Sequence, residues 1–129
     1  MPVSKLDHIN LRASRELLDQ LRDFYCDVVG LTLGRRPPFP EHGYWLYAGN
    51  KAVVHLSETD GEEIRTFGSV TTFGHAAFAC SGRTIYERRL SESGVNYDVA
   101  VVPEFGITQL FFQDPAGNGV ELSFDSEDS

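Results

Sequence analysis

The chain is poor in positive charge, in cysteine and in long apolar runs. Its 129 residues carry 11 Lys and Arg against 19 Asp and Glu, a formal net charge of −8, with a sequence pI near 4.8. That balance argues against a surface built to follow a phosphate backbone or an anionic membrane, because both demand clustered Lys and Arg. No apolar run approaches the roughly 20 residues of a membrane-crossing helix. Met1-Pro2-Val3-Ser4-Lys5 leads straight into a strand pattern without the apolar stretch of a signal peptide. The expectation is a cytoplasmic protein that handles small molecules, with no nucleic-acid and no membrane partner. The two cysteines, Cys26 in a helical stretch and Cys80 in a strand pattern, read as small buried hydrophobes and not as a disulfide.

What the chain does have is enough apolar material for one core, 41% hydrophobic and 12% aromatic residues, and a pattern that occurs twice. Val54-His55-Leu56-Ser57 is answered by Val120-Glu121-Leu122-Ser123, and Asp7-His8-Ile9-Asn10-Leu11 by Gly74-His75-Ala76-Ala77-Phe78. His8 and His55 stand 47 residues apart, His75 and Glu121 46 apart. Equal spacing of this kind marks duplicated supersecondary units.

Each copy reads as βαβββ. Leu6 to Ala13 alternates, placing His8, Asn10 and Arg12 on one face and Ile9, Leu11 and Ala13 on the other. Ser14 is a helix N-cap, Leu17, Leu18, Leu21, Phe24, Tyr25 and Val28 form a helical stripe, and Gly30 ends it. Strands are predicted at Leu31–Arg35, Gly43–Tyr47 and Ala52–Ser57. In the second copy, strand Phe73–Cys80 precedes an N-cap at Ser81 and a helix over Ile85, Tyr86 and Leu90 that Gly94 ends. Strands at Tyr97–Val102, Thr108–Gln113 and Val120–Phe124 follow. One domain of two modules, about residues 5–57 and 73–124, is therefore predicted, with a polar linker over 58–72 and a disordered acidic tail over 125–129.

His and Glu seldom lie inside a fold unless paired or bound to metal, so their repeat-equivalent positions are informative. His8, His75 and Glu121 have the composition of a 2-His-1-carboxylate triad, and His55 is a fourth candidate ligand. Such a centre suits Zn, Ni, Fe or Co as divalent ions, and the absence of a thiolate among the candidates disfavours a closed structural zinc site. Arg12 and Asn10 share the polar face with His8 and are candidate substrate contacts. Phe39, Tyr44, Trp45 and Tyr47 cluster in sequence, and Trp45 and Tyr47 are candidates to line an apolar substrate pocket. His42 reads as a loop histidine, and Asp114 and Asn118 as turn formers.

On Asp7-His8-Ile9, Phe24-Tyr25, Val29-Gly30-Leu31, Gly74-His75-Ala76-Ala77-Phe78 and Asp114-Pro115-Ala116-Gly117-Asn118-Gly119-Val120-Glu121-Leu122, nearly the whole chain resembles the vicinal oxygen chelate superfamily. That group includes glyoxalase I, extradiol dioxygenases and bleomycin-resistance proteins. The resemblance implies an α+β fold in which two βαβββ modules form a cup-shaped mixed sheet. It implies metal ligation by His8, His55, His75 and Glu121, one from the first and last strand of each module, and catalytic roles for His55 and Glu121. Single-domain members dimerise, which implies a homodimer with composite sites.

A glyoxalase I-like lyase or isomerase is the activity that the resemblance implies first, with glutathione as a co-substrate whose carboxylate Arg12 would hold. Glyoxalase I-like enzymes carry Glu where this chain has His55. The alternatives are an extradiol-type Fe(II) dioxygenase, which resembles the chain in His8, His75 and Glu121, and a drug-binding protein of the bleomycin-resistance type without catalysis.

Overall fold

The computed structural model describes residues 2–66 and 68–128. The chain divides into two compact units, Met1–Arg65 and Thr66–Ser129. The first contains β1 (Ile9–Ala13), α1 (Arg15–Phe24), β2 (Thr32–Gly34), β3 (Gly43–Ala48) and β4 (Lys51–Glu58); the second contains β5 (Ala76–Ala79), α2 (Arg83–Glu92), β6 (Asp98–Val101), β7 (Thr108–Gln113) and β8 (Gly119–Phe124). Each unit is βαβββ, so the α+β duplication read from the sequence is the architecture observed. No helix among the described residues is long and apolar enough to cross a membrane.

In the first unit the strand order is β1-β4-β3-β2, with β1 parallel to β4 and the other pairs antiparallel. Alternation along β4 turns Ala52, Val54 and Leu56 into the core and leaves His55 on the opposite face. α1 covers the apolar face with Leu18 and Leu21. Ser14 starts the helix as expected, its Oγ accepting from the Leu17 amide at 3.4 Å. The stripe continues past Phe24 as a π-helical turn, Tyr25–Val29, that buries Tyr25, Val28 and Val29 before Gly30 stops it at φ 96°. Gly30 adopts that left-handed conformation without the Cβ penalty of other residues.

The second unit repeats the order as β5-β8-β7-β6, with β5 parallel to β8. Its core holds Leu90, Leu110, Phe112, Val120, Leu122 and Phe124, with the Tyr86 ring 5.7 Å from Phe124. α2 has a thinner hold than α1, since Leu90 is its one buried residue.

Three sequence expectations are corrected here. β1 and β5 begin at Ile9 and Ala76, where parallel pairing with Val54 and Val120 starts, so His8 and His75 sit one residue before their strands. α2 is not capped by Ser81; its N-cap is Gly82, in a left-handed conformation that offers no side chain. The acidic tail supplies the cap instead, with Asp128 accepting from the amides of Gly82 and Arg83 at 2.7 and 2.8 Å. Residues 125–128 are therefore held in place, and Ser129 lies outside the described residues. The linker is likewise tied down, since Glu63 pairs with Arg12 in the first unit and the Gly68 amide donates to Ala116 in the second. Cys26 and Cys80 are both free.

The two amide bonds hold the Asp128 carboxyl below its usual value of 3.8. A depressed folded-state pKa stabilises above the unfolded value and is lost as pH falls through the folded one. Asp128→Ala is therefore expected to lower the urea midpoint at neutral pH. The gap to the unaltered chain should narrow as pH drops below 3.8; equal midpoints at pH 7 would remove Asp128 as the cap of α2.

Candidate functional site

The polar face of the first unit is organised around His55. Trp45 on β3 and Asn10 on β1 are its register partners on either side. The Trp45 ring stacks on His55 at 4.0 Å between centroids and 12°, and the His8 ring stacks on its other side at 3.7 Å and 13°. His55 is thus clamped between two flat rings. Its pKa lies below 6.5, first because it is buried and second because His8 is close; a hydrogen bond to the Ala52 backbone acts in the opposite direction. His55 is a neutral imidazole near pH 7 on that account.

His8 is oriented from the other side. Its Nδ1 lies 2.8 Å from Asp7 Oδ1, and Lys51 Nζ donates to Asp7 Oδ2 at 2.6 Å. Lys51 first and His8 second bring the Asp7 carboxyl down to about 2. An imidazole that donates through Nδ1 to a carboxylate keeps its Nε2 lone pair for another partner, the usual outer support of a metal-binding histidine.

The second unit brings its two candidates into direct contact. His75 Nε2 lies 3.0 Å from Glu121 Oε1. Glu121 is buried at 6% exposure, where an ionised carboxylate requires partners. Gln109 Nε2 donates to its Oε2 at 3.1 Å, and Phe111, the register partner of Glu121, turns its ring edgewise to His75 at 5.4 Å. Gly119 makes the entry of β5 possible, because a Cβ there would lie 2.0 Å from the Gly74 carbonyl oxygen and 3.1 Å from His75 Cβ.

These donors differ in their readiness to hold an ion. Bonds of about 2.1 Å to nitrogen and oxygen put two donor atoms about 3.0–3.4 Å from each other for angles from about 90° to the tetrahedral value. His75 and Glu121, in hydrogen-bond contact at 3.0 Å, need only a small adjustment to reach that range. Stacked, nearly parallel imidazoles keep their in-plane lone pairs in separate, parallel planes, so His8 and His55 converge on one ion only after one ring turns out of the stack. Stacking of this kind holds a ring by only about 0.5–1.5 kcal/mol, which makes that rotation accessible. The candidates occur as one pair in each unit, and among the described residues no group of three or more His, Cys, Asp or Glu is gathered for a metal.

The other candidates are placed as follows. Asn10 Oδ1 accepts from Ser57 Oγ at 3.1 Å. Arg12 is neither free for a ligand nor a solvated strand end: Nη1 donates to Ser57 Oγ at 3.0 Å, and Nε and Nη2 both donate to the Glu63 carboxylate. Of the aromatic cluster, Trp45 faces His55 and Phe39 lies 6.2 Å from Trp45. Tyr47 is set on Gly34 with its hydroxyl donating to the Arg35 carbonyl at 2.6 Å. Tyr44 points to the helix side, where its hydroxyl donates to Asp19 of α1 at 2.6 Å and His42 Nε2 lies 3.0 Å away. Asp114 and Asn118 are turn residues as read, with Asp114 Oδ1 accepting from the amides of Ala116 and Asn118 at 2.9 Å each.

Gln109, Phe111 and Glu63 were not singled out by sequence reasoning. The repeat could have found Phe111, since it pairs with Glu121 as Trp45 pairs with His55.

The sequence profile of the Glyoxalase/Bleomycin resistance protein/Dioxygenase superfamily matches residues 5–122. The chain belongs to that superfamily. Among its superfamily relatives, the Arabidopsis thaliana protein Glyoxylase I 4 is 29% identical over 124 residues, covering 93% of this chain and 70% of that protein. Two solved structures share the superfamily fold. The glyoxylase/bleomycin resistance protein/dioxygenase domain from Frankia sp. EAN1pec has a TM-score of 0.73 at 21% identity, covering 95% of this chain and 98% of that one. Lactoylglutathione lyase from Agrobacterium tumefaciens has a TM-score of 0.67 at 23% identity, covering 96% of each chain.

Imidazole titration followed by NMR on metal-free protein tests the environment of His55. Its midpoint is expected below 6.5, and Trp45→Ala, which opens the buried side, should move it upward. A midpoint at or above the ordinary value in the unaltered chain would contradict the clamped arrangement.

Proposed function

We propose that the chain is a divalent-metal-dependent enzyme of the glyoxalase I type, a lyase or isomerase acting on a small substrate with two adjacent oxygens. The observation that carries this reading is the His75–Glu121 pair, an imidazole and a buried carboxylate facing each other at 3.0 Å at repeat-equivalent positions to His8 and His55. The repeat-equivalent His8 and His55 provide the matching pair. The Arabidopsis relative named Glyoxylase I 4 supports the choice of reaction within the superfamily.

His8, His55, His75 and Glu121 would hold the ion, which supplies Lewis-acid stabilisation of negative charge developing on the substrate oxygens. The chain's own groups do the rest. Gln109 fixes the orientation of Glu121 through Oε2. Trp45 and Phe39 supply an apolar wall that keeps water from the His55 side. His55, whose neutral form burial favours, accepts and returns a proton when it stands off the ion. Since each unit contributes one pair, the reading includes a homodimer in which the pairs of two chains complete each site.

An extradiol-type dioxygenase is the second reading. It is favoured by His at position 55, where the glyoxalase I type carries Glu, with His8, His75 and Glu121 as the iron-binding triad.

Metal analysis of protein purified without chelator or affinity metal is expected to give one zinc, nickel, cobalt or iron per site, and His75→Ala and Glu121→Ala should each remove it while the protein stays folded. Undiminished stoichiometry in both variants would sink the assignment. Mixing His8→Ala with Glu121→Ala chains should restore one intact site per heterodimer, and no recovery despite heterodimer formation would refute shared sites. Iron with oxygen uptake matching product one-for-one would select the dioxygenase. A metal-free protein with a tight ligand would select a binding protein.

A further inference from the structure

Arg12 lies on the same sheet face as His8 and His55, and a carboxylate already occupies it. Glu63 reaches the guanidinium from a segment without helix or strand and accepts from Nε and Nη2 together. This is the two-point geometry with which arginine recognises a carboxylate. The segment is anchored at few places. Thr59 N donates to the Ala13 carbonyl at 2.9 Å at its root, and Asp60 Oδ1 accepts from the Glu62 and Glu63 amides at 2.9 and 2.7 Å. Beyond that turn Ile64 is 91% exposed, whereas the Glu63 side chain is 19% exposed. Glu63 is the pin by which residues 59–65 are fastened over Arg12.

We infer that Glu63 is a built-in competitor for the ligand, occupying the guanidinium that a carboxylate-bearing substrate would use, so that such a substrate enters only as the 59–65 strap is released. The inference rests on reading the His8–His55 face as the substrate side and Arg12 as the anchor for a substrate carboxylate, and what it adds is the competition from Glu63. A purely structural ion pair would leave Arg12 occupied at all times. Arg65 Nε also donates to Glu63 Oε2 at 2.6 Å, so Glu63 keeps a cation when an incoming carboxylate takes Arg12, and the strap exchanges one carboxylate for another without leaving a charge unpaired. The apparent affinity for the incoming carboxylate is then reduced by the fraction of time Glu63 is in place.

The test is binding of glutathione, chosen because it carries carboxylates, measured by calorimetry on folded protein and so independent of turnover. Glu63→Gln is expected to tighten binding about three- to tenfold. The gain should vanish in Arg12→Ala/Glu63→Gln relative to Arg12→Ala. Asp60→Ala loosens the turn without touching either charge and should give a smaller gain, which covers the case of a poorly folded Glu63 variant. Hydrogen exchange at the Glu62 and Glu63 amides should accelerate when glutathione binds the unaltered chain. Unchanged or weaker binding in both Glu63→Gln and Asp60→Ala, or no binding by any variant, overturns the inference. Metal content and turnover separate it from the proposed reaction: their loss with the Glu63→Gln gain intact defeats the reaction alone, and their presence without the gain defeats the strap alone.

Discussion

Everything at the site depends on the register between the first and last strand of each unit. β1 runs parallel to β4 with Asn10 beside His55, and β5 parallel to β8 with Ala77 beside Glu121. Side chains alternate along a strand, so a slip of one residue in β4 would turn His55 into the core and Val54 out of it. The same slip in β8 would turn Glu121 towards Leu110 and Phe112 and bring Leu122 out of the core. Burial of Val54 and Leu56, and of Val120 and Leu122, holds the register against that exchange. Each fully buried aliphatic side chain contributes about 1.5–3 kcal/mol, far more than the stacking or single hydrogen bonds on the polar face. The apolar face therefore fixes where the polar groups stand.

That division explains what the sequence made legible. The repeat and the alternation of apolar residues located every strand, because period-2 burial is written directly into Val54-His55-Leu56 and Val120-Glu121-Leu122. His8 with His55, and His75 with Glu121, followed from position in the repeat. What escaped were contacts between segments of no regular pattern. Glu63 sits in a polar run, Thr59-Asp60-Gly61-Glu62-Glu63, where composition gives no hint that one of the acidic side chains turns inward to Arg12. Asp128 escaped for the same reason, since an acidic C-terminal stretch looks solvated until Gly82 leaves α2 with no side-chain cap of its own. Tyr44 and Tyr47 look alike in sequence, yet strand alternation sends Tyr44 to the helix side and Gly34 takes the ring of Tyr47.

The candidate pairs of the two units are built on one plan with different electrostatics. In the second unit a buried carboxylate faces an imidazole, and Gln109 satisfies its other oxygen. In the first unit two imidazoles face each other, and burial together with their mutual repulsion favours the neutral form of His55. Stacking at 3.7 Å is tolerable only while at least one ring is uncharged. Under the proposed reading, three imidazoles and one carboxylate would leave a divalent ion with a net positive charge of one, whereas glutamate at position 55 would cancel that charge and provide a stronger base. His55 would then favour Lewis acidity over base strength.

The stacking of His55 sharpens this point. Trp45 and His8 cover both of its ring faces, so a partner reaches it only at the ring edge. One lone pair cannot bind an ion and accept a proton at the same moment. If His55 is a ligand throughout turnover, proton transfer must fall to another group on the face. If it is the base of the proposed reaction, it would stand off an ion that the other candidate ligands hold. The stack gives His55 a defined resting place for that second case, between Trp45 and His8.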